Sequence, residues 1–316
     1  MGDYSLQLNI QANFVMAKEL VKNKQNSNLY GPTVFWADAC QKLTREIKIF
    51  GLTDFRRLET PLHFFVPSYG YFNQRQLAVS VTEMLNKNDA TNKQKSEFIH
   101  FLSGEQAALS DYRTLIAANV NYGKNLFEDF SESTVGNPVE QFEFDKKKYS
   151  RSSLNYLLGL SFLRKYTDFK DIKVVMEIGG GFGTLGEITR KCLSDTKYID
   201  LDIEPVSNIA QYYLCKTFQN KNITRAEYFN NNKEIIIKEL DLTTILPTSK
   251  IENIKGSVDL FVNFISFQEM EPDIAKNYLD QVDRLSTNWI LLRNLREGKP
   301  KASSSNLGVI TPIHSD

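Results

Sequence analysis

The stretch "KVVMEIGGGFGTLGE", residues 173–187, sets five glycines within eight residues directly after a short apolar run. Glycine weakens the interior of a strand or helix, so such a cluster marks a very tight turn or a backbone that something must approach closely. The run before it, residues 174–178, reads as a short strand, and residues 186–193 read as helix. Working outward, residues 198–203 are strand-like, and residues 205–218 are helical with a proline near the first turn. Residues 235–242, 258–265 and 289–292 add three candidate strands, the last two separated by the helical "PDIAKNYLDQVDRL". Alternation of this kind predicts a mainly parallel sheet with helices on both faces, over residues 151–316.

Residues 1–150 read differently. Leu6, Ile10, Phe14, Ala17 and Val21 recur at helical spacing, as do Trp36, Cys40, Leu43, Ile47 and Phe50, each set forming one apolar stripe. A third helical segment, residues 96–120, carries Leu109, Tyr112, Ile116 and Val120 on one face. Residues 60–73, "TPLHFFVPSYGYFN", combine aromatic rings with two prolines and a glycine, which predicts a loop that plugs a core or lines a pocket. The boundary is expected near residue 150, in the charged "FDKKKYSRSS", with the mainly helical part serving as a substrate or cap region.

Lysine and arginine total 38, matching 38 aspartates and glutamates, so no net field draws the chain to nucleic acid or an anionic membrane. Cys40, Cys192 and Cys215 are far apart and form no CxxC pair, which argues against a disulfide framework or thiolate metal site and points to a reducing, cytoplasmic setting. No apolar run approaches the roughly 18 residues needed to span a bilayer, so any membrane association is expected to be peripheral.

Two glycine patterns overlap in the opening stretch. Gly181, Gly183 and Gly186 spell GxGxxG, whereas Glu177, Gly179, Gly181 and Gly183 spell ExGxGxG. The second discriminates better. A dinucleotide enzyme delivers a pyrophosphate to the helix N-terminus, and an acid just before the glycines repels it. S-adenosyl-L-methionine has no phosphate but carries an ammonium and a sulfonium, for which a carboxylate at Glu177 is favourable. Asp202, near the end of "YIDLDI" and about 20 residues beyond the glycines, is placed to bind ribose hydroxyls in either case. Asp241 is read as closing the third strand, where it would hold the adenine amino group. The expected fold is therefore a Rossmann-like class I methyltransferase sheet preceded by a mainly helical region.

On "VGNPVEQFEFDKKKYSRSSLNYLLGLSFL", "VMEIGGGFGTLGE", "YIDLDIEPVSNIAQYYL", "NFISFQEM" and "LLRNLREGK", the chain resembles the sugar O-methyltransferases encoded with bacterial surface-polysaccharide genes. The glycine motif identifies only the superfamily, while the "YIDLDIEPVSNIAQYYL" and "SFQEM" blocks look like the sugar family. Glu204-Pro205 stands where that family suggests Pro-Pro, and the N-terminal helices match loosely through "FWADACQKL" and "GLTDFRR". The resemblance implies a sugar or glycan acceptor, free, nucleotide-linked or lipid-linked, and makes a site role conceivable for Asn137.

Methyl transfer to a sugar hydroxyl benefits from a base that takes the proton as attack proceeds. That base is expected after the fourth strand, in "VNFISFQEMEPD". Glu269 is the first candidate, with Gln268 holding the sugar or the carboxylate, and Asn263 or Ser266 touching the methionine end of the cofactor. Glu269 reads equally well as a helix cap or ion-pair member. His63 is the rival base, although a histidine among rings is more often a packed residue. Asn294, Arg296 and Lys299, beyond the fifth strand, form either a site for hydroxyls or phosphate or a plain solvated loop. Asn137, in "VGNP", also reads as a simple chain reversal. No carboxylate set demands a metal ion. After the fifth strand only "NLGVITPIHSD" offers room for one further strand, as in a short sheet or a piece of a larger polypeptide. An NAD-dependent sugar oxidoreductase competes through GxGxxG and Asp202 but is opposed by Glu177 and by the lack of a YxxxK couple. A non-catalytic methyltransferase-like module is the third reading.

Overall fold

A computed structural model describes residues 29–70, 81, 83–122, 126–225, 234–304 and 306–314. The stripe of Leu6, Ile10, Phe14, Ala17 and Val21 lies outside these residues. The first described helix, α1 (Val34–Phe50), buries Cys40, Leu43 and Ile47 of the predicted stripe, with Phe35 and Ala39 beside them, while Trp36 is half-buried and Phe50 is exposed. Helices α2 (Glu59–Phe64), α3 (Asn92–Ser103) and α4 (Glu105–Asn119) follow, then a hairpin of β1 (Phe142–Phe144) and β2 (Lys147–Tyr149), then α5 (Arg151–Leu163). The remainder alternates: β3 (Val174–Ile178), α6 (Thr184–Cys192), β4 (Lys197–Asp202), α7 (Val206–Thr217), β5 (Ile223–Arg225), β6 (Ile235–Ile236), β7 (Thr243–Pro247), β8 (Ile254–Lys255), β9 (Leu260–Phe264), α8 (Pro272–Arg284) and β10 (Trp289–Arg293).

Two compact units result. One joins α1, up to Leu52, with everything from Thr167 onward; the other runs from Thr53 to Tyr166. The sequence reading set a single boundary near 150, but that charged stretch is the β1–β2 hairpin followed by a helix whose Ser150–Ser153 capping box starts it. Asp145 and Lys146 both have positive φ, as a two-residue hairpin turn requires, without the Asn-Gly pair that usually announces one.

Within the Thr53–Tyr166 unit, the expected single helix over 96–120 is two helices broken at Gly104, which is left-handed with φ 76°. The buried face of α4 is Ala108, Tyr112, Leu115 and Asn119, while Ile116 and Val120 are exposed. The aromatic segment is partly helical, because the proline of α2 falls in its first turn, where no N–H is needed. This unit is organised around a buried charge. Arg56 is fully buried, its Nε donates to Glu140 at 2.6 Å, and its Nη2 donates to Glu132 at 2.7 Å. Glu132 also accepts from the Ser150 amide and the Ser150 and Ser153 hydroxyls, which ties the start of α5 to the same cluster.

In the other unit, six parallel strands form one sheet in the order β10-β9-β3-β4-β7-β5. Strand alternation separates its faces. Met176, Ile178, Ile199 and Leu201 enter a core with Phe261, Leu246 and the α8 residues Tyr278 and Val282. The other face carries Tyr198, against which Gly186 of α6 packs so closely that a Cβ would lie 2.5 Å from the ring. Residues 235–242, read as a strand, instead hold the two-residue β6, paired with β8 outside the main sheet, and a 3-10 turn. The third strand is β7. Among the described residues no helix is long and apolar enough to cross a membrane.

Removing one member of a buried ion cluster strands the others. Replacing Arg56 by Met should cost about 3–5 kcal/mol, read as a lowered denaturant midpoint for the Thr53–Tyr166 unit, whereas an unchanged midpoint would show that Glu132 and Glu140 are held by other means.

Candidate functional site

The parallel register brings the carboxyl ends of β3, β4, β7, β9 and β10 to one edge of the sheet, where ligands sit in open α/β folds. Leaving aside the three-residue edge strand β5, the other five strands run 5-4-1-2-3 in chain order, and the glycine turn leaves the first of them. The chain carries a class I methyltransferase fold. No family model matches the chain, and no curated protein matches it. Among solved structures, mitomycin 7-O-methyltransferase MmcR shares 16% identity over 48% of this chain and 43% of that one, with a TM-score of 0.32. The plantazolicin methyltransferase BpumL in complex with SAH shares 16% over 46% and 45%, with a TM-score of 0.28. The N-terminal domain of human METTL16 in complex with SAH shares 13% over 56% and 65%, with a TM-score of 0.29. The chain thus covers less than two thirds of each, and at these scores the fold assignment rests on strand order and the glycine turn alone.

The glycine turn is backed by acids. Glu177 and Asp200 are register partners on adjacent strands, and Asp202 lies two residues further along the same face as Asp200. Glu177 is fully buried and accepts from the Tyr198 hydroxyl at 2.6 Å. Asp200 is fully buried, and neither of its carboxylate oxygens has a hydrogen-bond partner. Its pKa lies well above the usual carboxylate range, first through burial, then through the charges of Asp202 and Glu177, against the pull of the Gly180 backbone. Asp202 accepts from the Gly181 amide at 2.9 Å and the Ile203 amide at 2.7 Å. Burial raises it to about 7, the two amides oppose, and the charges of Glu177 and Glu269 add to the rise. Gly180 lies directly above the cluster: a Cβ there would stand 2.5 Å from Asp200 Oδ1 and 2.9 Å from Glu177 Oε2. Gly179, Gly181 and Gly183 all have positive φ, the conformation that suits glycine at a tight turn. Asp202 therefore braces the turn through Gly181, a duty its sequence position did not announce.

Beyond β9 the backbone is strained. Ile265 has φ 73°, an outlier for a β-branched residue that costs about 1–3 kcal/mol and persists only where its surroundings dictate it. Those surroundings are polar and fully engaged. Asn263 donates to the Ile178 carbonyl and the Ser266 hydroxyl and accepts from the Phe267 amide, and Ser266 also bonds the Ile178 carbonyl. Gln268 accepts from the Leu295 amide at 2.6 Å, and the Gln268 amide donates to Asn294 Oδ1 at 3.4 Å. Asn263, Ser266, Gln268 and Asn294 thus fasten the β9 turn to β3 and to the segment after β10, whereas cofactor or sugar contacts were expected of them.

That turn projects Glu269, which is buried. Its Oε2 accepts from the Trp36 indole at 3.0 Å, its Oε1 lies 3.2 Å from the Lys299 ammonium, and its carbonyl accepts from Thr33. Burial raises its pKa, while Lys299 and Trp36 lower it. Trp36 and Thr33, at the start of α1, went unseen in the sequence because they lie more than 230 residues from Glu269. Lys299, read as a substrate contact or loop residue, is instead an ion-pair partner. α1 lies near the same edge of the sheet, since the buried Cys40 thiol is pushed up by burial and further by the charge of Asp202.

Asp241 is corrected. It precedes β7 rather than closing a strand, so it stands at the amino end of the sheet, exposed and bonded to Thr224, remote from the glycine turn. Thr248 occupies the position after β7, its hydroxyl donating to the Tyr30 carbonyl. His63 is an exposed residue of α2 in the Thr53–Tyr166 unit, edge-on to Phe64. Asn137, in the same unit, makes a left-handed turn at φ 53° with its side chain on Asp54 and its carbonyl on Arg57. Arg296 is exposed. Among the described residues no group of His, Cys, Asp and Glu is arranged to hold a metal ion.

The raised carboxyls of Asp200, Asp202 and Glu269 keep their protons in the folded chain at pH values where the unfolded chain has lost them. Their contribution to stability is full below about pH 4, where the unfolded groups titrate, and is lost as pH rises through about 7 for Asp202. The thermal midpoint of the cofactor-free protein should therefore fall between pH 5 and pH 8, and D200N should flatten that fall; a midpoint rising across the window would contradict the cluster.

Proposed function

We propose that the chain is an S-adenosyl-L-methionine-dependent O-methyltransferase acting in the cytoplasm on a sugar hydroxyl of a bacterial surface polysaccharide or its precursor. The observation that carries the cofactor is the set of three buried carboxylates directly behind the glycine turn. A pyrophosphate approaching Gly180 meets Glu177 and Asp200 through a glycine with no Cβ to screen them, whereas an ammonium and sulfonium are attracted. The unpartnered oxygens of Asp200 fit a cationic ligand in the same sense. When bound, the cofactor supplies an electrophilic methyl group. The chain positions the acceptor oxygen opposite the sulfur and, through Glu269, takes up the hydroxyl proton as the oxygen attacks. Support for a sugar acceptor comes from the "YIDLDIEPVSNIAQYYL" and "SFQEM" blocks, the second of which holds Glu269 itself.

One observation favours a non-catalytic module instead: both carboxylate oxygens of Glu269 already have partners in Trp36 and Lys299. Activity distinguishes the two. With labelled cofactor and a panel of sugars, sugar nucleotides and lipid-linked sugars, the enzyme reading expects methylated product and at least about a tenfold loss of turnover in E269Q, with S-adenosylhomocysteine affinity unchanged. Cofactor binding with no product from any panel member would support the module.

A further inference from the structure

The residues around Glu269 assign a role to two side chains outside the methyltransferase sheet motifs. Trp36 reaches it from α1, 233 positions away in sequence, and Lys299 from the segment after β10. The two partners divide the carboxylate, with the indole N–H on Oε2 and the ammonium beside Oε1. Lys299 is itself placed: its ammonium lies 4.8 Å from the centroid of the buried Phe35 ring, next to Trp36 on the same helix. Thr33, one residue before α1, forgoes capping its own helix and donates to the Glu269 backbone carbonyl. The first turn of α1 and Lys299 thus form a three-sided holder around one carboxylate. A merely structural strut would be served by one such contact.

Resting on the reading of Glu269 as the base, we infer that Trp36 and Lys299 are positioning residues: the indole fixes the orientation of the carboxylate on one oxygen, and the ammonium, 3.2 Å from the other, favours its charged form. Electrostatics supports the division. Burial alone pushes Glu269 towards the protonated form, in which it cannot act as a base, and the Lys299 charge opposes that push. The groups facing Glu269 are Lys299 and Trp36, and the charge of Glu269 in turn raises Asp202 on β4. Lys299 is therefore the positive charge that offsets burial. Loss of Lys299 leaves the carboxylate with a neutral donor only.

The chain contains two tryptophans, Trp36 and Trp289, so W289F leaves a single indole N–H signal in a proton–nitrogen NMR spectrum. In that background the Trp36 signal should titrate with Glu269, and E269Q should abolish the titration. In K299M the midpoint should rise by about one pH unit or more, while K299R, which retains the charge, should stay near the parent. Should K299M fail to fold, K299Q carries the same test. An indole signal indifferent to E269Q, or a midpoint unmoved by loss of Lys299, overturns the inference. The acid limb of methyl transfer, measured with whichever panel sugar turns over, separates it from the reading beneath: a limb that follows the indole midpoint in both parent and K299M supports both. An indole midpoint that moves while the limb stays fixed leaves the holder intact and removes Glu269 as the base.

Discussion

Asp200 sits fully buried between Glu177 and Asp202, under a glycine, with no hydrogen bond of good geometry to either carboxylate oxygen, and the rest of the site is arranged about that fact. Acids so close together in a buried place oppose one another's ionisation, so Asp200 and Asp202 keep their protons to higher pH than free carboxylates. Register enforces the arrangement. Glu177 and Asp200 are paired across β3 and β4, and the period of two along β4 puts Tyr198, Asp200 and Asp202 on one face while Ile199 and Leu201 join the apolar core on the other. Moving either strand by one residue would bury the acids in hydrocarbon and expose the core, which is why this pairing admits no slip.

A second constraint acts at the neighbouring strand. The turn after β9 carries strain at Ile265 and is fastened by Asn263, Ser266 and Gln268 on all sides, so that Glu269 projects from a rigid base. These amide and hydroxyl side chains stand at the edge where ligands bind in this fold, yet they bond to backbone groups and to one another. Their chemistry is that of a scaffold holding one carboxylate in place. α1, although far away in sequence, belongs to the same compact unit as the sheet, so that unit draws on segments from both sides of the Thr53–Tyr166 stretch.

Much of this was legible in the sequence. Four of the six sheet strands, β3, β4, β9 and β10, the glycine turn and most of the buried stripe of α1 follow from apolar periodicity and glycine placement, which depend on neighbours close along the chain, whereas β5 and β7 were not read. The alternation in "YIDLDI" puts Asp200 and Asp202 on one face, but the register that sets Asp200 beside Glu177 was not read from the sequence. What failed was what depends on distant neighbours. Asp241 was set at the wrong end of the sheet because "EIIIKELDL" reads as a strand by composition, whereas Ile235 and Ile237 enter the core through a two-residue strand and a 3-10 turn, with Ile236 exposed between them. The α4 face was misread because its buried stripe of Ala108, Tyr112, Leu115 and Asn119 contains a polar residue bonded to Ser161, so apolar spacing favoured the neighbouring Ile116 and Val120. No local pattern connects Trp36 or Lys299 with Glu269, nor Arg56 with Glu132 and Glu140 some 76 to 84 positions away. The hairpin at Asp145-Lys146 lacks the usual glycine, which allowed it to pass for a linker.

The claim that a protonated acid cluster selects a cationic cofactor is tested most directly by calorimetry near pH 7 in buffers of differing ionisation enthalpy. The account predicts that S-adenosyl-L-methionine binds with net release of protons, that D200N reduces this release, and that NADH gives no heat. Binding of NADH, or binding of S-adenosyl-L-methionine with no proton release, would contradict it.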